Sequence, residues 1–271
     1  MNDILQYAFF QNALLASFLA AILCGLVGTY IVARRLVFIA GGLAHASLGG
    51  VGVCALVGLP PILGAGVFSL LSAFGVKQFN KRMHISEDAA VSLLWAFGMS
   101  VGVMCAFHSP SFLPDLPNYI FGNILLTNRQ DLWVLGILTI LTACLFLLFL
   151  PQITTLAFDR EFAQTMHLHV NVLENLMLGL VTLSIVAILR STGIILASSL
   201  LSIPQITAAL YARSFTGQCL ASILVGLADC LLGLFLSYQF NVPSGAAIVF
   251  VSVLIYTVFR TIKALTNRFK R

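Results

Sequence analysis

Charge is scarce in this chain. The 14 Lys and Arg and 9 Asp and Glu make up only 8% of 271 residues, while 60% are hydrophobic and the mean hydropathy is +1.03. That is far too apolar for an ordinary water-soluble domain, and a formal charge of +5 spread so thinly does not suggest nucleic acid. Several signatures are absent. The six cysteines, at positions 24, 54, 105, 144, 219 and 230, lie in apolar segments and form no Cys-x-x-Cys pair, so neither a disulfide framework nor a zinc ribbon is indicated and they read as packing residues. There is no Gly-x-x-x-x-Gly-Lys-Ser/Thr phosphate loop, so any ATP-driven work must borrow an ATPase from another chain. No His-Glu-x-x-His occurs, which argues against a membrane metalloenzyme. The opening "MNDILQYAFFQNALLASFLAAILCG" begins acidic and runs into a full-length span, so it is expected to be retained as a span and not cleaved as a signal peptide.

What is present is a succession of long apolar runs. A helix crossing roughly 30 Å of hydrocarbon needs about 20 residues, and stretches near that length recur throughout. Bounded by charges and Pro/Gly turns, they predict spans near 9–33, 36–58, 61–76, 89–107, 132–150, 174–189, 194–212, 218–239 and 245–262. The fold expected is all-α: one transmembrane domain, residues 1–271, of about nine helices. Arg34 and Arg35, "KQFNKRMHISED", "FDREFAQTMHLH" and "RTIKALTNRFKR" then fall on one side, while "LPP", "HSPSFLPDLPN", "RSTG" and "NVPSG" fall on the other. Lys and Arg mark cytoplasmic loops, so the N-terminus is expected outside and the C-terminus inside. Gly41, Gly42, Gly49 and Gly50 in the second span and Pro204 in the seventh interrupt helices in the way tolerated beside a cavity, which points to a pathway.

A few polar groups stand out against this background. His45 lies in "AGGLAHASLGGVG"; an ionisable group at membrane depth is expensive and marks a path more often than chance, although a hydrogen-bonded packing histidine is the other reading. Asp229 in "GLADCLLGLF" needs a partner at that depth, either a metal, a hydrogen-bond donor or a cation such as Arg190, which itself is expected to snorkel outward from a helix end. His108 and Asp115 fall in the Pro-rich outer loop, where they would meet an incoming metal or simply belong to a structured loop. His84, His167 and His169 lie in expected cytoplasmic loops, where a solvated role is the default. In "SIPQITAA", Ser202, Pro204, Gln205 and Thr207 would line or hinge a path, or form a packed kink. "LAFDREFAQTMHLHV", residues 156–170, opens on an Asp suited to capping a short cytoplasmic helix.

Five segments, "FFQNALLAS", "GLVGTYIVARRLVFIAGGLAHASLGGVG", "AFDREFA", "GIILASSLLSIPQITA" and "FNVPSGAAIVF", together resemble the zinc/manganese/iron family of bacterial ABC transporter permeases, in order and over most of the chain. The resemblance implies a dimeric permease that accepts a divalent metal from an extracytoplasmic metal-binding protein and is driven by a cytoplasmic ATP-binding subunit. It implies no resident cofactor, the metal being cargo. By that match Phe158, Asp159, Glu161 and Phe162 are coupling residues and His45 is a metal ligand; from their own settings Asp229, His108 and Asp115 are further metal candidates, and Gly41, Gly42, Ser47, Ser202, Pro204 and Gln205 belong to the path or its hinge. Two departures remove acids: the Asp that the family places four residues before the histidine is Gly41 here, and the Asp before its Leu-Pro-x-Gly-Ala turn is Asn241. The resulting expectation is a permease subunit of the bacterial inner membrane, without enzyme activity of its own. An ion-coupled secondary transporter is the alternative; it would need intramembrane acids, and Asp229 alone qualifies.

Overall fold

The computed structural model describes residues 7–83, 85–109, 119–120 and 122–269. The helices are α1 (Ala8–Ala33), α2 (Val37–Val57), α3 (Pro61–Met83), α4 (Glu87–His108), α5 (Arg129–Phe158), α6 (Arg160–Thr165), α7 (Val170–Leu200), α8 (Ile203–Ala209), α9 (Phe215–Phe240) and α10 (Ser244–Phe269). Helix is the only economical backbone for such apolar runs, because every N–H and C=O must find a partner without water. Side-chain hydroxyls follow the same rule: Ser17 donates to the carbonyl of Ala13 (2.8 Å) and Thr29 to that of Gly25 (2.6 Å). Ends are fixed by local chemistry. Gly58 closes α2 in the left-handed conformation, and Asn128 with Asp131 forms a reciprocal capping box at the start of α5. Pro151 and the non-helical Phe149 bend α5 near its far end.

Two groups of helices result. In the first, α2, α3 and α4 pack on one another through glycines: a Cβ on Gly98 of α4 would lie 2.6 Å from the carbonyl oxygen of Ala46, and one on Gly102 the same distance from that of Leu48. Small residues let these backbones meet directly. In the second, α1 is the hub, touched by α5, α7, α8 and α9, with α10 outside α9. Two-thirds of the apolar stretch of α1 is buried, against 22% for α5, which lies at the periphery. α7 packs on both groups and joins them.

Among the described residues, eight helical stretches are long and apolar enough to cross a membrane, against the nine expected. The difference lies at 170–209, one stretch by length but two limbs in space. Thr127, just before α5, donates its hydroxyl to the carbonyl of Ser191 (3.4 Å), so that end of α7 lies beside the start of α5. Further on, the Gln205 amide donates to Cys24 in α1 (2.8 Å), and Tyr211 donates to the carbonyl of Phe259 (3.0 Å), well toward the end of α10. The chain turns back at Gly193 (φ 78°, ψ 170°), a conformation that side chains on other residues resist. The limbs correspond to the sixth and seventh expected passes, so Arg34, Lys77, Arg160 and Lys263 gather at one end of the bundle and Arg129 and Arg190 at the other. The first is called the basic end below.

Candidate metal path and coupling surface

On α2, Gly41 and His45 stand one turn apart, Gly41 beside open space and His45 against α4. A Cβ on Gly41 would meet nothing within 4 Å. His45 is half-buried; its ring stacks on the indole of Trp95 in α4, centroids 4.5 Å apart and planes 15° from parallel. The Trp95 Nε1–H donates to the Met99 sulfur at 3.0 Å, which orients the indole. His45 Nδ1 is buried without a hydrogen-bond partner, so this imidazole is held by its face and not through its nitrogen. The other expected path residues of α2 turn inward: Gly42 lies against Val91, and the buried Ser47 hydroxyl donates to the carbonyl of Ala44 at 2.6 Å.

Among the described residues no group of three or more His, Cys, Asp or Glu is placed to hold a metal. Asp229 is fully buried in α9, where one carboxylate oxygen accepts from the Ser252 hydroxyl of α10 (2.7 Å) and the other has no partner. It belongs to the α1-centred group, whereas His45 belongs to the other. His108 is exposed at the end of α4, its Nδ1 2.9 Å from the carbonyl oxygen of Met104. Asp115 and His84 lie outside the described residues. Arg190, expected to reach outward alone, pairs with Asp131. Asn241 ends α9 with φ 52°, a left-handed cap that Asn tolerates.

The hinge residues collect at the joint between α7 and α8. Ser202 stands at the start of α8 without capping it, its hydroxyl donating back to the carbonyl of Ser198 (2.8 Å), and Pro204 occupies the first turn, where a missing N–H costs nothing. Gln205 is fully buried. Its amide nitrogen donates to the carbonyls of Cys24 (2.8 Å) and Leu200 (3.0 Å), tying the joint to the middle of α1, and its Oε1 has no partner.

At the basic end, Asp159 caps α6 by accepting from the Phe162 N–H (2.9 Å), and Glu161 follows in the first turn, where an acid favours the helix dipole. Ala163 is buried beneath this short helix, while Phe158, Phe162 and Met166 are all more than half exposed. Phe158 meets Phe215, the first residue of α9, edge to face at 6.2 Å. Glu174 of α7 anchors the segment: it pairs with Arg160 (2.8 Å) and Arg34 (3.1 Å), and Lys77 of α3 lies 3.9 Å away. Sequence reasoning missed Glu174 and Trp95. An isolated acid at the start of an apolar run, in "VNVLENLM", was the available signal for the first; nothing local marked the second.

The description "ABC 3 transport family" matches residues 6–263. The chain belongs to the ABC 3 transport family. The five resembling segments lie within the matched residues. The manganese transport system membrane protein MntC of Listeria monocytogenes is 30% identical over 258 residues, 95% of this chain and 92% of that one. The manganese import system permease protein ScaB of Streptococcus gordonii is 32% identical over 256 residues, 93% and 91% of the two chains. Among solved structures, PsaBC from Streptococcus pneumoniae in complex with Fab superposes with a TM-score of 0.87 at 30% identity, over 95% of this chain and 93% of that one. A putative metal-chelate type ABC transporter in an inward-facing conformation shares the fold, with a TM-score of 0.72 at 15% identity. This ABC 3 permease is thus an all-helical, multi-pass membrane protein of a metal-transport family.

Proposed function

We propose that this ABC 3 permease is the membrane subunit of an ATP-driven importer for a divalent metal in a bacterial inner membrane. It works as a dimer with two cytoplasmic ATPase subunits and receives metal from an extracytoplasmic binding protein. Manganese is the first cargo to test, because related permeases carry that name. The observation that carries the ATP-driven part is the capped helix Arg160–Thr165, presenting Phe158, Phe162 and Met166 at the basic end of a chain without a phosphate loop. Exposed aromatics on a pinned helix are what a soluble partner needs to grip. Within the membrane, His45 is the transient ligand. Its unpartnered Nδ1 and the open space at Gly41 leave room for an ion, and the acid that the family places at Gly41 is absent. A single neutral imidazole per chain gives a weak site, completed by the second subunit's imidazole across a two-fold axis. Weak binding suits a path whose occupant must leave again. Alternating access moves this site between the two sides, and each state must bind the metal differently for ATP to do work on it.

The test is reconstitution with the cognate ATPase. A complex of two permeases and two ATPases should form, and manganese uptake into vesicles should require ATP. A lone permease that transports manganese without ATP would replace this reading with the ion-coupled secondary transporter.

A further inference from the structure

Helix α6 has six residues, too few to hold itself together or to move a bundle unaided. Its connection to the spans is concentrated on one side chain. Glu174 sits near the basic end of α7, 13% exposed, and takes Arg160 from α6, Arg34 from the end of α1 and Lys77 from α3, while Lys77 also donates to Asn175 at 2.7 Å. Arg34 in turn donates to the carbonyl of Leu156 at the end of α5 (3.3 Å). Both helix groups therefore meet at this carboxylate, α3 from one and α1 from the other. Beyond Arg34 the chain turns sharply, with Arg35 at φ 59° and the Leu36 N–H bonded to Ile31 (2.8 Å), and enters α2, which carries His45 about two turns on. Beside the cluster lies a cavity of about 420 Å³, lined by Tyr30, Arg34, Ile39, Ala73, Lys77 and Glu174 among others. Side chains over a void rearrange without breaking a packed core.

The geometry points to Glu174 as the residue that carries displacement of the coupling helix to the metal path, through Arg34 to the α1–α2 corner and through Lys77 to α3. Glu174 touches neither nucleotide nor metal; it is a positioning residue. The inference rests on residues 158–166 being the ATPase docking surface, so its test separates docking from transmission.

The permease is reconstituted with its ATPase and binding protein in proteoliposomes supplied with ATP and manganese. E174Q should retain the ATPase at the wild-type ratio and still hydrolyse ATP, but deliver about tenfold less manganese per ATP. E174D should recover part of that ratio, and K77Q should show a smaller loss in the same direction. An unchanged ratio in E174Q overturns the inference. Loss of ATPase binding in E174Q also overturns it, since the cluster would then be part of the docking surface. If E174Q does not fold and insert as the permease alone, E174D and K77Q decide by the same ratio. F162A addresses the underlying reading: unchanged ATPase binding there removes the docking surface, whatever Glu174 does.

Discussion

The α2–α4 group and the α1-centred group solve the same problem, packing helices in a medium that offers no hydrophobic drive, with small residues in both but with different polar fastenings. The first meets glycine against backbone, as at Gly98 and Gly102, and leaves open space at Gly41, one turn from the His45 ring on Trp95. The second also packs through small residues, as at Gly25 against Ile223 and Gly233 against Ile248, but is fastened besides by polar ties such as Gln205 to Cys24, Arg190 to Asp131 and Glu174 to its cations. The coupling surface therefore has its partners inside one chain, while among the described residues no group of three or more His, Cys, Asp or Glu completes the proposed cargo site. A transporter needs that asymmetry: the mechanical end must persist through the cycle, and the cargo end must be left open for an ion that comes and goes.

The largest effect should come from the open side. Removing even the outer partner of a metal ligand lowers affinity by about 10–100-fold, so His45→Ala should reduce ATP-driven manganese uptake by about a hundredfold with the ATPase complex intact. Uptake near the wild-type level would leave His45 as a packing residue held by Trp95. On the fastened side, changing Phe158 and Glu161 together to Ala should cut uptake about tenfold while ATP hydrolysis continues, the size of an ordinary coupling free energy. Equal losses of hydrolysis and uptake would mean that the segment does something other than couple. A smaller, structural contrast separates a packed glycine from an open one. Gly98→Ala must push α4 off α2 and should destabilise the detergent-solubilised permease by about 1–3 kcal/mol, whereas Gly179→Ala, with nothing within 4 Å of its added carbon, should stay within about 0.5 kcal/mol. Thermal unfolding followed by tryptophan fluorescence reads both, and equal shifts would erase the contrast. The smallest change is expected at Asp229. Asparagine keeps an acceptor for the Ser252 hydroxyl, so Asp229→Asn should leave uptake within about twofold; a collapse of uptake would favour ion coupling through the carboxylate.

Hydrophobic runs and basic loops made the fold legible, because a membrane forces helix upon any apolar stretch of sufficient length. The alternation of the passes between two ends followed from Arg34, Lys77 and Arg160. The reversal at Gly193 was legible only as a turn in "RSTG"; its burial against Thr127 and Gly122 was not, since that depends on how α5 and α7 pack. His45 stood out as a lone imidazole in an apolar span, and Asp159 as a cap. Glu174 escaped because its partners lie 140 residues away at Arg34 and 14 away at Arg160, a separation that no local pattern encodes. Trp95 escaped for the same reason: its stacking on His45 exists only once Gly98 has brought α4 against α2. Ser47 illustrates the opposite limit, for proximity to His45 in sequence suggested the path while helical geometry turns it inward.

The account is tested most directly by counting metal. Equilibrium binding of manganese to the dimeric permease in lipid nanodiscs, without ATPase, should saturate weakly at one ion per two chains and vanish in His45→Ala. Tight binding of one ion in each chain, or binding that survives His45→Ala, would contradict a cargo site left incomplete within the single chain.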